Sequence, residues 1–210
     1  GDGGAVLRAI DLIGRREGVG ALLAEGSRRA AEAIGGGSMA FAPQVKGLEI
    51  PGYEPRGLQT MALGFAVGAR GADHNRSGAY DVDFSDKVDR RHATLDSVRY
   101  AVETEDRAAL MDSLILCKFL RGVFSDFYEE AAGMLRAVTG WDVTADELHA
   151  TARGIVATKQ EINRRAGWTP EEDTLPERFL DRPLPGDPSA VLTRERLQEL
   201  VAEYHRQRGW

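Results

Sequence analysis

The chain is governed by where its helices are told to start and stop. Helix-starting residues and glycine stops recur along its whole length, while the alternating apolar–polar stretches that make strands are nearly absent. Asp2 is placed to cap a helix through Ala5, Leu7, Ile10, Leu12 and Ile13, closed by Gly18 and Gly20. A second helix is expected from Ala21 to Ile34, with Leu22, Leu23, Ala30 and Ile34 inward and Gly35 to Gly37 as its stop. Residues 58–69 read as a small-residue helix whose Ala and Gly positions let another backbone or a flat ligand approach. Residues 77–84 read as a loop. Helices are then expected over about Asp86–Glu103 and Glu105–Leu120, from a Ser125 cap to Gly140, and from the Thr144–Glu147 capping box to Arg165. Five of the eight prolines fall within 168–190, an irregular strap, and Thr193 caps a last helix to Arg208. The pattern predicts a mainly α protein, an irregular helical bundle.

Composition narrows the classes of function. A chain of 210 residues, 42% hydrophobic and 29% charged, suits one or two soluble domains with a sizeable core. A net charge of -6 with no basic block argues against nucleic acid as a partner. No apolar run is long enough to span a bilayer, and no signal peptide is visible, so no membrane partner is expected. One cysteine precludes an internal disulfide and suits a reducing, cytoplasmic setting. It also precludes a zinc or iron–sulfur site built from this chain's cysteines alone. The first residue is Gly rather than Met, as expected of a fragment, a processed chain or an engineered piece.

Three stretches carry chemistry. The single cysteine lies in Asp112-Ser113-Leu114-Ile115-Leu116-Cys117-Lys118-Phe119, where a helix would put Asp112 and Leu116 on one face with Cys117 beside them. Cys117 then reads either as a small buried hydrophobe or as a metal-ligating thiolate whose partners lie elsewhere. Residues 46–57, KGLEIPGYEPRG, form a strand or shaped loop that holds Lys46, Glu49 and Arg56 in place, or a plain connection with solvated charges. Residues 70–76, RGADHNR, follow a buried helix and bring His74, which can act as acid or base or serve as a structural hydrogen-bonding residue.

In these segments and their order the chain resembles the C-terminal region of the aldehyde ferredoxin oxidoreductase family, the tungsten-pterin enzymes. The matching stretches are GALLAEGSRRAAEAI at 20–34, KGLEIPGYEPRG, RGADHNR, DSLILCKF at 112–119, NRRAG at 163–167, LPERFLDRPLP at 175–185 and EYHRQRGW at 203–210. The resemblance implies two helical domains: the end of a middle domain over 1–57 and a C-terminal domain over 58–210, without the N-terminal pterin-binding domain. It implies that Asp112 hydrogen-bonds a pterin of a tungsten (or molybdenum) bis-pterin cofactor and that Leu116 contacts it through backbone. Cys117 would be the fourth ligand of a [4Fe–4S] cluster, with Lys118 beside it. Lys46, Arg56 and Arg76 would contribute to cofactor binding. His74 would move a proton as water or hydroxide attacks an aldehyde carbon. Ile115 stands where the family usually has Gly.

The whole protein would oxidise aldehydes to carboxylates and pass electrons through the cluster to ferredoxin. Related alternatives are reduction of carboxylates or aromatic acyl thioesters, or a cofactor-free helical scaffold derived from the fold. The three other cluster cysteines and a first pterin-binding Asp motif are expected in the N-terminal domain, its partner, so the chain alone is expected to be inactive. Asp112, Leu116, Cys117 and His74 are expected to converge on one concave face near Lys46 or Arg56.

Overall fold

The computed structural model describes residues 1–210 as ten α-helices, short 3-10 turns and one two-stranded hairpin. Asp2 caps α1 (Gly3–Arg15) by accepting from the Ala5 amide at 3.1 Å. The helix stops at Arg16, which takes a left-handed φ of 53°, before the glycines expected to end it. The single helix expected over 21–34 is two, α2 (Val19–Leu23) and α3 (Gly26–Ile34). Gly26 opens α3 at φ +83°, where an added Cβ would come within 2.9 Å of the Glu49 carboxylate. Glu49 accepts from the Ser27 amide at 2.7 Å and so caps α3 from outside, a bond that also holds its carboxyl below the ordinary range. Glu49 comes from the hairpin β1 (Gln44–Val45) and β2 (Leu48–Glu49), whose two-residue turn has Lys46 and Gly47 at φ 52° and 88°, as a type I′ turn requires.

The larger core joins Val45 to α4 (Gln59–Val67), to α7 (Val98–Ser113) and to α10 (Arg194–Arg208), and Ile50 and Tyr53 pack against it. Its packing therefore runs across the boundary expected at residue 57. Every residue of α4 is buried. Gly64 fits because a Cβ there would lie 2.0 Å from the Ser77 Oγ, so the small-residue stretch serves close helix packing. The 77–84 stretch expected as loop holds α6 (Tyr80–Asp83), after α5 (His74–Ser77). Asp83 of α6 is buried and accepts from the Thr60 and Met61 amides at 3.2 and 2.8 Å, capping α4 from a distance. A smaller core takes Leu110 and Met111 of α7, Phe127, Ala131 and Ala132 of α8 (Phe127–Thr139), and Leu148 and Ala152 of α9 (Ala145–Arg165). The Thr144–Glu147 capping box starts α9 as expected, whereas Asp126 rather than Ser125 caps α8.

The largest departure concerns α7. Two helices, 86–103 and 105–120, are expected; one helix, Val98–Ser113, lies across both, and residues 86–94 are irregular. The chain turns off α7 at Ile115, left-handed at φ 58°. The Leu116 amide returns to the Met111 carbonyl at 2.9 Å and the Ile115 amide to that of Asp112 at 3.1 Å, the paired bonds of a Schellman stop. Asp112 and Leu116 thus do not share a helical face: the first lies in the last turn of α7 and the second beyond its stop.

The 168–190 strap crosses the surface with two 3-10 turns and buries Leu175, Phe179 and Leu180. It is tied down by cations from the 46–57 segment. The Lys46 ammonium donates to Asp173 at 2.6 Å and to the Ala66 and Gly68 carbonyls at 2.9 and 3.0 Å. Arg56 donates to the Pro183 carbonyl at 3.0 Å and pairs with Glu54 at 2.8 Å.

Candidate functional site

The polar edge of the molecule is built where α5 meets the end of α7. Asp73 caps α5 by accepting from the Asn75 and Arg76 amides, which fixes the start of this four-residue helix. His74, its first residue, lies half-buried among aromatic rings, 5.2 Å from the Tyr53 centroid and 5.9 Å from that of Tyr80. Tyr53 and Tyr80 stack at 4.8 Å. Arg121 lies over the Tyr80 ring at 5.1 Å and pairs with Asp81 at 2.9 Å. Burial, then the Asp81 charge, push the Tyr80 hydroxyl above its usual range, so it stays a hydrogen-bond donor near neutral pH.

Two residues past His74, Arg76 forms an ion pair with one oxygen of Asp112. Lys118 binds the other at 2.9 Å and also donates to the Ala108 carbonyl at 3.1 Å, which holds the turn against α7. The carboxylate is thus gripped from both sides by cations while 21% of its side chain remains open to solvent.

Cys117, between Leu116 and Lys118, is extended and exposed, at the entry to the 3-10 turn Lys118–Leu120. The reading of this cysteine as a buried core hydrophobe is therefore ruled out. Its neighbours are open too: Ile115 is 92% exposed, Phe119 88% and Val123 69%. Leu116 is half-buried and packs on the smaller core.

Of the residues singled out in the sequence, Arg76, Asp112 and Lys118 come together through ion pairs, with Cys117 adjoining Lys118 and His74 in the same helix as Arg76. Lys46 and Arg56 are committed elsewhere. All three N–H bonds of Lys46 are used inside the protein, and Arg56 is buried between Glu54 and the strap. Tyr80 and Arg121 were not singled out. Tyr53 lies within the KGLEIPGYEPRG motif and could have been read from it; Tyr80 carries no local signal. A cleft of about 1000 Å³ opens beside Arg121, lined in part by Asp81, Arg107, Phe119, Tyr128 and His149, but neither His74, Asp112 nor Cys117 lines it.

The donor set limits what the chain can hold. No group of three or more His, Cys, Asp or Glu side chains is arranged to bind a metal ion. An exposed thiol next to a lysine fits one ligand position of an iron–sulfur cluster whose other thiolates come from elsewhere. No helix is long and apolar enough to cross a membrane.

These features define a mainly helical module that turns one cysteine-bearing edge outward. Residues 1–210 match the family described as aldehyde ferredoxin oxidoreductase, domains 2 and 3, and the chain belongs to that family. It is 35% identical, over 96% of its length, to the tungsten-containing aldehyde ferredoxin oxidoreductase of Pyrococcus furiosus, and 34% identical to that of Thermococcus kodakarensis. It is 27% identical to an aliphatic sulfonate oxidoreductase, WOR-like subunit, of Pyrococcus furiosus. The chain spans about a third of the length of these relatives: 33%, 33% and 32%.

Proposed function

We propose that this chain is the domain 2 and 3 part of an enzyme that oxidises aldehydes to carboxylates. In the net reaction an aldehyde and water give a carboxylate, three protons and two electrons, and the electrons leave through a [4Fe–4S] cluster to ferredoxin. A tungsten (or molybdenum) bis-pterin would supply the two-electron redox chemistry. Asp112 would hydrogen-bond a pterin, with the Leu116 backbone beside it. Cys117 would be one cluster ligand and Lys118 its neighbour. His74, backed by Tyr53 and Tyr80, would take up a proton as water attacks the aldehyde carbon. Arg76 would hold Asp112 in place. Lys46 and Arg56 would act at a distance, by fixing the strap. An N-terminal domain of the same enzyme would cover the exposed edge and supply the other three thiolates.

The observation that carries this reading is the exposure of Cys117 on a turn fixed to the ion-paired Asp112. The sulfonate-directed relative leaves room for a different substrate on the same centre. A cofactor-free scaffold would have no use for an exposed thiol in a stretch of open apolar side chains. The test is made in the full-length protein. Cys117→Ala should remove or convert the cluster, read by electron paramagnetic resonance and iron content, and abolish aldehyde-dependent reduction of ferredoxin. An unchanged cluster signal in that variant would overturn the assignment.

A further inference from the structure

Resting on the roles proposed for His74 and Cys117, we propose that Arg121 is a positioning residue that holds His74, through Tyr80, in a fixed relation to the turn after Cys117. The Arg121 side chain makes three different contacts. Its Nη1 donates to the Lys118 carbonyl at 3.1 Å, the same oxygen that accepts the Arg121 amide at 3.2 Å. The side chain thus folds back and closes the 3-10 turn Lys118–Leu120, which Cys117 opens. Its Nε meets both oxygens of Asp81, at 2.9 and 3.3 Å. Its guanidinium carbon lies 5.1 Å from the centre of the Tyr80 ring, within cation–π range. Tyr80 is 5% exposed, and its ring has the stacked Tyr53 at 4.8 Å and His74 at 5.9 Å as neighbours. A path of contacts therefore runs from the cysteine-bearing turn through the guanidinium and the phenol ring to the imidazole. The Arg76–Asp112 pair also joins α5 to α7, but through another side chain of α5 and not through the His74 ring.

Each link suits arginine in particular. A planar guanidinium lies over a ring while its edge donates in two directions, whereas an ammonium is a point charge with no fork. The ion pair by itself contributes little to stability, because the side chains of Arg121 and Asp81 are 29% and 31% exposed. Asp81 is also reached by Arg107 at 3.7 Å, so α6 keeps a cationic partner when Arg121 is removed. What Arg121 supplies is orientation. A general base works only within hydrogen-bond reach of the proton it takes, and a misplacement of roughly 1 Å can cost about 100-fold in rate.

The test is made in the full-length protein. Carbethoxylation of His74 by diethyl pyrocarbonate, followed by mass spectrometry, reads how firmly its ring is held, with the exposed His92 as internal control. In Arg121→Ala the labelling of His74 should rise several-fold and that of His92 stay the same. In the same variant kcat for aldehyde oxidation should fall by about tenfold or more while KM changes little. Arg121→Lys, which can keep the Asp81 pair, should show a smaller part of both effects, and it carries the test if Arg121→Ala fails to fold. Tyr80→Phe retains the ring and should label like the parent. Tyr80→Leu should match Arg121→Ala, and combining the two should add little, because they act along one path. A purely structural role would lower the urea midpoint and leave His74 labelling and kcat of the folded protein at parent values. That result, or effects of Arg121→Ala and Tyr80→Leu that multiply, would overturn the proposal. If His74→Asn keeps the parent activity, the proton-transfer reading fails instead, and His74 labelling in Arg121→Ala still decides whether the arginine sets the ring.

Discussion

Two charged regions of this molecule are built on opposite terms. Under the strap, Asp173 is 2% exposed and is met by Lys46 at 2.6 Å, His205 at 2.8 Å and Trp168 at 3.2 Å. Beside it, Arg208 is clasped by Glu105 and Asp106, each at 2.6 Å. There, nearly every buried charge has its counterpart within the chain. At the end of α7 the paired charges are partly open to solvent, apolar side chains stand in solvent and a thiol is left open. The first region is finished by the chain itself. The second has the make-up of a surface that another surface completes.

The comparison can be broken most directly by removing one acid from each region. Asp173→Ala leaves a buried ammonium and a histidine without their acceptor and should cost about 3–5 kcal/mol of stability. Asp112→Ala deprives two solvent-reachable cations of a shared carboxylate and should cost about 1 kcal/mol or less. Urea unfolding of the two variants reads the contrast, and equal losses would erase it.

A second test uses pH. Burial pushes the Asp83 carboxyl up to about 6, against 3.8 when free. The folded state then holds this proton over a window where the unfolded chain has released it. Stability from this group should therefore be greatest below pH 4 and fall by up to about 3 kcal/mol as pH rises through 6. Asp83→Asn should flatten that slope in urea midpoints measured across the window.

Ile115 sharpens the comparison from the other side. It is a β-branched residue at φ 58° with almost no packing to lose. Ile115→Gly should stabilise the chain by about 1 kcal/mol, since the left-handed conformation costs an L-residue about 1–2 kcal/mol while glycine adds some unfolded-state entropy. A loss of stability would mean that the side chain is anchored. The smallest effect is expected at Phe119. Phe119→Ser should leave the unfolding midpoint within about 0.5 kcal/mol of the parent. It should still lower self-association of the chain in sedimentation experiments, if the open apolar edge is what drives association.

How far the sequence could be read follows from the range of the forces involved. Local signals were legible: the Asp2 and Thr193 caps, the Thr144–Glu147 box and the Gly140 stop all act within one turn of helix. Caps supplied from afar were not. Glu49 starts α3 across 22 residues, and Asp83 starts α4 across a similar gap. The stop at Ile115 was hidden because a left-handed turn is normally announced by Gly or Asn, and a β-branched residue reads as continuation. At the site, the resemblance brought forward Asp112, Cys117 and His74, but not Tyr80, which meets His74 and Tyr53 only once α6 is packed against them.

The strap has a consequence for how the protein is made. Lys46 reaches Asp173, and Arg56 reaches the Pro183 carbonyl, each across 127 residues. Gln59 reaches the Val191 carbonyl across 132. Closing loops of this length delays the contacts that depend on them. On a ribosome releasing the chain from its N-terminus, the hairpin and α4 emerge long before their latch is synthesised. The hairpin lysine and the first residue of α4 each keep a donor open until the strap, 127 and 132 residues later, has been made.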